Sequence, residues 1–325
     1  MRGLFRLEGP AANNLVLQPM NSLSRRNGHA KGFFLVLLAA FCYGLQPLFA
    51  QYAYAGGTDP VGLLLARFSI AAGVLLVFLR WRGIALPVGR LARQNLLLGV
   101  GYGLAALGYY SAARSTSVSL AIILVYSFPA FVTAVSITCL GERTSALKLA
   151  SLALALGGVT MATGFSLSGA SMGALWALFA ALCYGASIIY GTHRIDHENP
   201  LASAAMLLLG CVLTFALAAL LQGASLPSTP FAWGATLGLA LFATLLPVAA
   251  FLAGSPRIGS SAAATLSTVE PVVAVTIAVL LMGERVTITM LGGGLMVLLA
   301  AVFLARQDPV EPEFASLQGG ATGDQ

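Results

Sequence analysis

Residues 257–285 read RIGSSAAATLSTVEPVVAVTIAVLLMGER, a stretch that begins and ends on charge and carries Glu270 and Pro271 in its middle. A helix rises about 1.5 Å per residue, so the apolar run 260–282 covers roughly 30 Å of hydrocarbon. A carboxylate at that depth costs about 3 kcal/mol and usually faces a cavity or a partner. Pro271 also leaves the carbonyl of Ser267, one turn earlier, without its helical donor. The stretch is therefore predicted to be a broken membrane-spanning helix with a polar centre.

The same pattern occurs once more in the first half of the chain. Residues 114–143 read RSTSVSLAIILVYSFPAFVTAVSITCLGER, and the two prolines, Pro129 and Pro271, lie 142 residues apart, each twelve residues before Gly-Glu-Arg. A second pair of motifs, AFCYG at 40–44 and ALCYG at 181–185, is offset by 141 residues. The chain is predicted to be built from two copies of one unit.

The composition places both copies in a membrane. Of 325 residues, 58% are hydrophobic and only 9% are charged, whereas soluble domains carry about 25% charged residues. The excess of 17 Lys and Arg over 11 Asp and Glu is interpreted as a mark of cytoplasmic loops rather than of nucleic-acid binding.

Ten apolar segments follow a polar leader, residues 1–31, in which Met20 is an alternative start to Met1. The segments are 32–54, 60–80, 94–113, 117–139, 146–165, 171–191, 200–222, 231–253, 259–282 and 287–305. They divide into a first five-helix repeat, 32–165, and a second, 171–305. Residues 306–325 are predicted to be a disordered cytoplasmic tail.

The basic residues give an orientation. With the N-terminus inside, fourteen Lys and Arg fall in inner segments and two, Arg114 and Arg285, fall in outer loops. The positive-inside rule then puts both termini in the cytoplasm of a multi-pass cell (inner) membrane protein. Because five spans per copy is an odd number, the second copy is inserted upside down. Inverted repeats around a site at the bilayer midplane are the architecture of secondary transporters.

These motifs resemble a known family. A small-residue run, a proline and an apolar stretch ending in Gly-Glu-Arg, repeated in two five-helix halves, is similar to the EamA-type permeases of the drug/metabolite transporter superfamily. The likeness spans residues 32–305 and is densest in LPVAAFLAGSPRIGSSAAATLSTVEPVVAVTIAVLLMGE. It implies an all-α bundle of ten transmembrane helices and transport of a small metabolite, such as an amino acid, by alternating access. The first copy departs from the second at Phe128, which stands where the second has Glu270.

Glu270 is the first candidate for the substrate path. On a continuous helix Ala263, Ser267 and Ala274 share its face, which makes a small, polar stripe. The alternative is a structural carboxyl that fixes helix packing. Pro129 and Pro271 are candidate hinges on which the two halves bend.

Other path candidates lie in segments one, two and six. Arg67 either meets a carboxylate or Glu270, or extends its long stem to the outer headgroups. Gln46 stands beside Pro47, where an amide next to a helix break suits ligand contact. Tyr43 and Tyr184 occupy the repeated motif. The remaining span tyrosines, Tyr102, Tyr109, Tyr110, Tyr126 and Tyr190, are attributed mostly to interfacial belts.

Several functions find no support in the residues. His193 and His197 have i, i+4 spacing, but a solvated loop explains them better than a metal site does. No nucleotide loop or G-x-S-x-G elbow occurs in a suitable context, so neither a cofactor nor enzymatic activity is predicted. An intramembrane enzyme and a channel-like pore are the alternatives to a transporter. Lipid, a small-molecule substrate and a homodimer partner are expected, with packing favoured over dimer contact for Gly157-Gly158 and Gly292-Gly293-Gly294.

Overall fold

The computed structural model describes residues 29–139, 145–162, 172–194 and 199–307, which are helical apart from short turns. Seven helices in these ranges are long and apolar enough to cross a membrane, and three shorter apolar helices accompany them. The predicted all-helical membrane class is thereby confirmed. The helices are α1 (His29–Ala55), α2 (Pro60–Trp81), α3 (Gly89–Ser115), α4 (Val118–Cys139), α5 (Ala146–Ala162), α6 (Met172–Arg194), α7 (Pro200–Gln222), α8 (Pro230–Ile258), α9 (Ser260–Ser267 and Val269–Met282) and α10 (Ile288–Gln307).

Four helices are irregular near the middle of their length. Three contain a break that a proline follows within three residues, and the fourth, α8, contains a π turn, Leu241–Leu245. Proline lacks the N–H that continues a helical ladder, so each irregularity leaves backbone groups free at the centre of the bundle. The breaks and their prolines are Leu45 with Pro47 in α1, Tyr126 and Ser127 with Pro129 in α4, and Thr268 with Pro271 in α9; Pro247 follows the π turn of α8.

The halves pack against each other in pairs that repeat. Helix α3 packs on α6 and α7, and its counterpart α8 packs on α1 and α2. A Cβ built on Gly44 of α1 would lie 3.0 Å from the Glu270 carbonyl of α9, and one built on Gly185 of α6 would lie 3.5 Å from the Phe128 carbonyl of α4. The glycine of each repeated Cys-Tyr-Gly motif thus lets its helix approach the broken helix of the other half.

Small residues also join α5 to α10 within one chain. A Cβ on Gly158 would meet the Gly293 carbonyl at 2.7 Å, and Gly293 faces the Gly158 carbonyl in return. The glycines of these helices therefore serve packing inside the chain, as favoured from the sequence. A homodimer stays a prediction.

One end of the bundle, called here the clamp end, joins loops of both halves. Asp59 caps α2 through the Gly62 amide at 2.7 Å and also accepts the Ser225 amide at 2.8 Å. Helix α1 ends here, whereas its counterpart α6 begins here, with Gly173 against Thr116.

A second carboxylate at the clamp end belongs to the repeated Gly-Glu-Arg motif. Gly283 ends α9 with a left-handed φ of 70°, and the Glu284 amide bonds back to the Ala278 carbonyl at 2.9 Å. The Glu284 side chain then accepts the amides of Val118 and Ser119 at 2.6 and 3.1 Å and the Ser119 hydroxyl at 2.6 Å. A carboxylate at the α4 N-terminus satisfies free N–H groups and favours the helix dipole. The first Gly-Glu-Arg, 141–143, lies outside the described residues.

Candidate functional site

The centre of the bundle holds a hydrogen-bonded contact between the two halves. Glu270 stands in the first turn of the second part of α9, after the break at Thr268. The hydroxyl of Tyr126, at the break of α4, lies 3.0 Å from Glu270 Oε2 and 3.2 Å from the Ser267 carbonyl oxygen. That carbonyl is the one that Pro271 deprives of a donor, so a side chain of the opposite half supplies the missing hydrogen bond.

The contact has one hydrogen for two acceptors. The Tyr126 hydroxyl carries a single hydrogen, and the Ser267 carbonyl can only accept. If Glu270 is charged, the hydroxyl can donate fully to only one of the two acceptors, the Glu270 carboxylate or the Ser267 carbonyl. If Glu270 is protonated, it donates to the Tyr126 oxygen while Tyr126 donates to Ser267. Both hydrogen bonds of the series Glu270–Tyr126–Ser267 are therefore formed only when Glu270 is neutral.

Arg67 of α2 is buried in this centre, with 4% of its surface exposed. Its Nε donates to Thr244 Oγ1 at 2.7 Å, its Nη1 to the Tyr110 hydroxyl at 2.5 Å and its Nη2 to the Ala243 carbonyl at 3.4 Å. The alternative that Arg67 extends to the headgroups is therefore wrong, because buried polar partners hold the guanidinium inside. One hydrogen on each Nη remains, and no ion pair joins Arg67 to a carboxylate within the described ranges.

The carbonyl that Arg67 contacts was freed by a proline, as at Ser267. Pro247 lies four residues after Ala243 and cannot donate to its carbonyl. The π turn that precedes Pro247 also directs Thr244 Oγ1 to the Leu239 carbonyl at 2.8 Å and leaves it as an acceptor for Arg67. At both places, therefore, a polar side chain of the first half lies on a carbonyl of the second half.

Gln46 joins the arginine network, and the ligand contact expected of it stays a prediction. The Tyr110 hydroxyl donates to Gln46 Oε1 at 3.0 Å while it accepts from Arg67. Tyr110 is buried at 3% exposure, so its assignment to an interfacial belt is wrong. Tyr126 is also wrongly assigned, because the break in α4 carries it to the bundle centre rather than to a helix end.

Aromatic rings line the space next to Glu270. Tyr184 lies edge-on to Tyr102 with centroids 5.2 Å apart and to Phe128 at 4.6 Å, and Phe128 in turn lies 6.0 Å from Tyr126. Tyr43 directly precedes Gly44, whose backbone packs on the Glu270 carbonyl. The structure therefore brings the predicted tyrosines Tyr43 and Tyr184 to the same region as Glu270.

Two expectations from the sequence need correction. The stripe of Ala263, Ser267, Glu270 and Ala274 assumed one continuous helix, but the break at Thr268 divides it into two helices. Arg67 and Glu270 do not form an ion pair; the hydrogen bonds of Arg67 go to Thr244, Tyr110 and Ala243.

The structure does not test the predicted absence of a metal site at His193 and His197. Asp196, His197 and Glu198 lie outside the described residues. Within the part of the chain that the structure describes, no group of three or more His, Cys, Asp or Glu residues is placed to hold an ion. The expected absence of a metal remains a prediction.

Comparison with known proteins gives the family. Residues 30–164 and residues 171–306 each match the EamA-like transporter family. The chain belongs to the EamA-like transporter family. Its family domain is present twice, which agrees with the internal repeat, and the resemblance drawn from the sequence motifs is confirmed.

Relatives of this EamA-like transporter come from bacteria and an archaeon. An inner membrane transporter of Escherichia coli strain K12, YedA, is 28% identical over 259 residues, which cover 74% of this chain and 83% of YedA. A transporter of Archaeoglobus fulgidus is 28% identical over 276 residues, covering 83% of this chain and 94% of the relative. A transporter of Bacillus subtilis, YcbK, is 25% identical over 277 residues, which cover 79% of this chain and 86% of YcbK.

A crystal structure shares the fold. Its chain is 17% identical, is covered to 99% and superposes on 86% of this chain with a TM-score of 0.59. At that identity the likeness concerns the fold alone.

Proposed function

We propose that this EamA-like protein is a secondary transporter that moves a small metabolite, such as an amino acid or a related solute, across the cell membrane by alternating access, with export as its direction. The observation that carries the proposal is that two ionisable side chains, Arg67 on α2 and Glu270 on α9, lie beside helix irregularities at the centre of the bundle. Discontinuous helices that line a site between two repeats are a feature of secondary transporters.

The proposed architecture is ten transmembrane helices in two inverted five-helix halves, with both termini in the cytoplasm. The direction of the helices at the clamp end supports it, because α1 ends there and its counterpart α6 begins there. The fourteen-to-two count of basic residues assigns the clamp end to the outside. Single cysteines at Thr144 and Val286, after the two Gly-Glu-Arg motifs, test this. An impermeant thiol reagent added to whole cells should label the Val286→Cys variant and spare the Thr144→Cys variant; equal labelling of both would contradict inversion.

The substrate proposed for the centre carries both charges. Arg67 has two N–H hydrogens left to donate and no ion pair among the described residues, which suits a substrate carboxylate. Glu270 and the aromatic rings around it suit a substrate ammonium. The Tyr126 hydroxyl contacts Glu270 directly, with 3.0 Å between the two oxygens.

One carboxylate then has two uses. Without substrate, Glu270 holds a proton and completes the chain through Tyr126 to Ser267. With substrate, it releases the proton and binds the ammonium. Because the proton and the substrate ammonium compete for one carboxylate, movement of the substrate would be coupled to movement of protons.

Uptake into liposomes tests the proposal. Purified protein is reconstituted, and each of the twenty standard L-amino acids is offered in radiolabelled form. We expect saturable uptake of at least one, its loss in Arg67→Lys and its retention in Arg80→Lys, a control in the last turn of the same helix. Lys cannot reproduce the three separate bonds of the guanidinium. No saturable uptake of any of them would contradict the substrate class.

A further inference from the structure

Helix α8 contains two buried threonines whose hydroxyls make different contacts. Thr236 is 0% exposed and Thr244 is 3% exposed. The Thr236 hydroxyl donates to the Ala232 carbonyl, four residues earlier, at 2.9 Å, which is the usual back-bond of a helical threonine. The Thr244 hydroxyl donates to the Leu239 carbonyl, five residues earlier, at 2.8 Å and also accepts Arg67 Nε at 2.7 Å. Thr244 therefore joins α8 of the second half to α2 of the first.

The difference follows from the π turn, Leu241–Leu245, in which Thr244 lies. A π turn contains one residue more than an α-helical turn, so its hydrogen bonds reach the carbonyl of residue i−5 instead of i−4. Pro247 follows the turn and cannot donate to the Ala243 carbonyl. Two neighbouring acceptors of α8, the Thr244 hydroxyl and the Ala243 carbonyl, are thereby available to Arg67.

These two acceptors occupy one edge of the Arg67 guanidinium. The group is planar and carries five N–H hydrogens in a fixed fork, in which the Nε hydrogen and one Nη2 hydrogen point the same way. Thr244 accepts Nε and Ala243 accepts Nη2 on this edge, and the Tyr110 hydroxyl accepts one hydrogen of Nη1. The hydrogens that are left, one on each Nη, point away from the side that α8 occupies.

Aromatic rings restrict the same guanidinium further. The ring centres of Phe68 and Tyr110 lie 4.9 and 5.5 Å from Arg67 Cζ, within the range of cation–π attraction. The hydrogen bonds to α8 and these ring contacts together hold the group in one orientation. A side chain that is already ordered loses less conformational freedom when a ligand binds, so it binds that ligand more tightly.

We propose that Thr244 is a positioning residue that sets the preference of the central site for a carboxylate. Thr244 acts through Arg67: it holds Nε, so that the free Nη hydrogens stay turned toward the substrate carboxylate, which accepts them in charge-assisted hydrogen bonds. The inference rests on the proposed function, which it deepens by naming the residue through which α8 controls how Arg67 recognises the substrate.

Competition in the liposome uptake assay tests this role. Uptake of each radiolabelled L-amino acid is inhibited by the same unlabelled amino acid or by its primary amide, in which a neutral group of similar shape replaces the carboxylate. The carboxylate preference is the ratio of the two inhibition constants. In the parent the amino acid should inhibit at least about tenfold more strongly than the amide, as expected of a charge-assisted hydrogen bond.

Thr244→Val keeps the shape of the side chain and removes the acceptor of Arg67 Nε. The preference should fall by roughly two- to tenfold, which corresponds to the cost of ordering one long side chain on binding. Thr236→Val makes the same change about two turns earlier, at a hydroxyl that bonds to its own helix, and should keep the preference of the parent. Thr244→Ser restores the hydroxyl and should restore the preference.

The ratio separates positioning from a structural role, because a loss of folded protein changes inhibition by the amino acid and by the amide alike. An unchanged ratio in Thr244→Val, or an equal fall in Thr236→Val, would overturn the role of Thr244. Saturable uptake in the same assay would then leave the proposed function standing. No saturable uptake by the parent would contradict the proposed function and this inference together.

A measurement on the parent protein needs no variant. Among the arginines whose side chains the structure describes, Arg67 alone is buried. In protein that contains isotope-labelled arginine, the Nε–H signals are followed by NMR after transfer to heavy water. A buried, hydrogen-bonded N–H exchanges only when the structure opens, so at least one signal should persist about tenfold longer than the rest. Loss of all Nε–H signals at one rate would show that Thr244 does not hold Arg67.

Discussion

Tyr126 of the first half donates to the carbonyl of Ser267 in the second half, the carbonyl that Pro271 leaves without a helical donor. The same hydroxyl contacts Glu270 at 3.0 Å. A break in one half is thus completed by a side chain of the other, so relative movement of the halves changes the hydrogen bonding of the break.

Tyr126→Phe should destabilise the folded chain. The substitution keeps the ring and removes a side-chain donor to the Ser267 carbonyl, which costs about 1–3 kcal/mol. The melting temperature in detergent should fall. Tyr52→Phe, at a ring that is 44% exposed, is the matched control and should melt like the parent. If both variants melt alike, the hydroxyl does not support the break.

Glu270→Gln should preserve the fold and lose the response to protons. A glutamine amide can donate to Tyr126 as a protonated carboxyl does, so the chain to Ser267 stays complete. The substrate ammonium loses a charge-assisted bond, which weakens binding by about 1.5–3 kcal/mol. Uptake measured with and without an inward pH gradient should then be equal. A variant that binds and accumulates substrate like the parent would identify Glu270 as structural.

Pro129 and Pro271 are expected to act as hinges. Replacing either by alanine restores the N–H that the helix lacks and stiffens the break. The maximal rate of uptake should fall more than the affinity does. Pro256, inside α8 but away from the centre, offers the control Pro256→Ala. Unchanged turnover in both hinge variants would exclude the role.

Glu284→Ala should open the clamp end. The variant removes three hydrogen bonds that hold the start of α4, at Val118 and Ser119, to the end of α9. A cysteine introduced at Ala50, in the wall of a cavity at this end of the bundle, should react faster with an impermeant thiol reagent than it does when Glu284 is present. A loss of about 1.5–3 kcal/mol in the free energy that closes this end corresponds to a rate increase of about tenfold or more. The exposed Cys139 is first replaced by serine. Arg285→Gln is the control, and equal reaction rates in the two variants would show that Glu284 does not close this end.

The sequence predicted the helices best where local signals mark their ends. The predicted segment 200–222 coincides with α7, because Asn199 caps its first amides, Pro200 begins it and Gly223, with φ of 82°, follows its end. The segment predicted at 94–113 is longer in the structure, Gly89–Ser115. Its first turns carry Arg90 and Arg93. A prediction from hydropathy ends the segment at these charged residues, although the helix itself continues beyond the apolar part.

The site was predictable in part. A proline cannot donate to the carbonyl four residues before it, so Pro271 in the sequence pointed to the free Ser267 carbonyl beside Glu270. The same rule applied to Pro247 would have found the Ala243 carbonyl that Arg67 contacts. Tyr126 and Tyr110 were missed, because their roles depend on which other helices face them, α9 for Tyr126 and α1 and α2 for Tyr110. Periodicity within one helix contains no information on that contact.

Counterflow in liposomes tests the central claim of alternating access most directly. Proteoliposomes are loaded with an excess of an unlabelled L-amino acid that the uptake assay identifies, and a trace of the same radiolabelled compound is added outside. A transporter that exposes its site to one side at a time exchanges one molecule for another, so the label should accumulate transiently above its outside concentration. Label that only equilibrates, at a rate that neither saturates nor responds to the internal load, would indicate a channel-like pore and contradict the account.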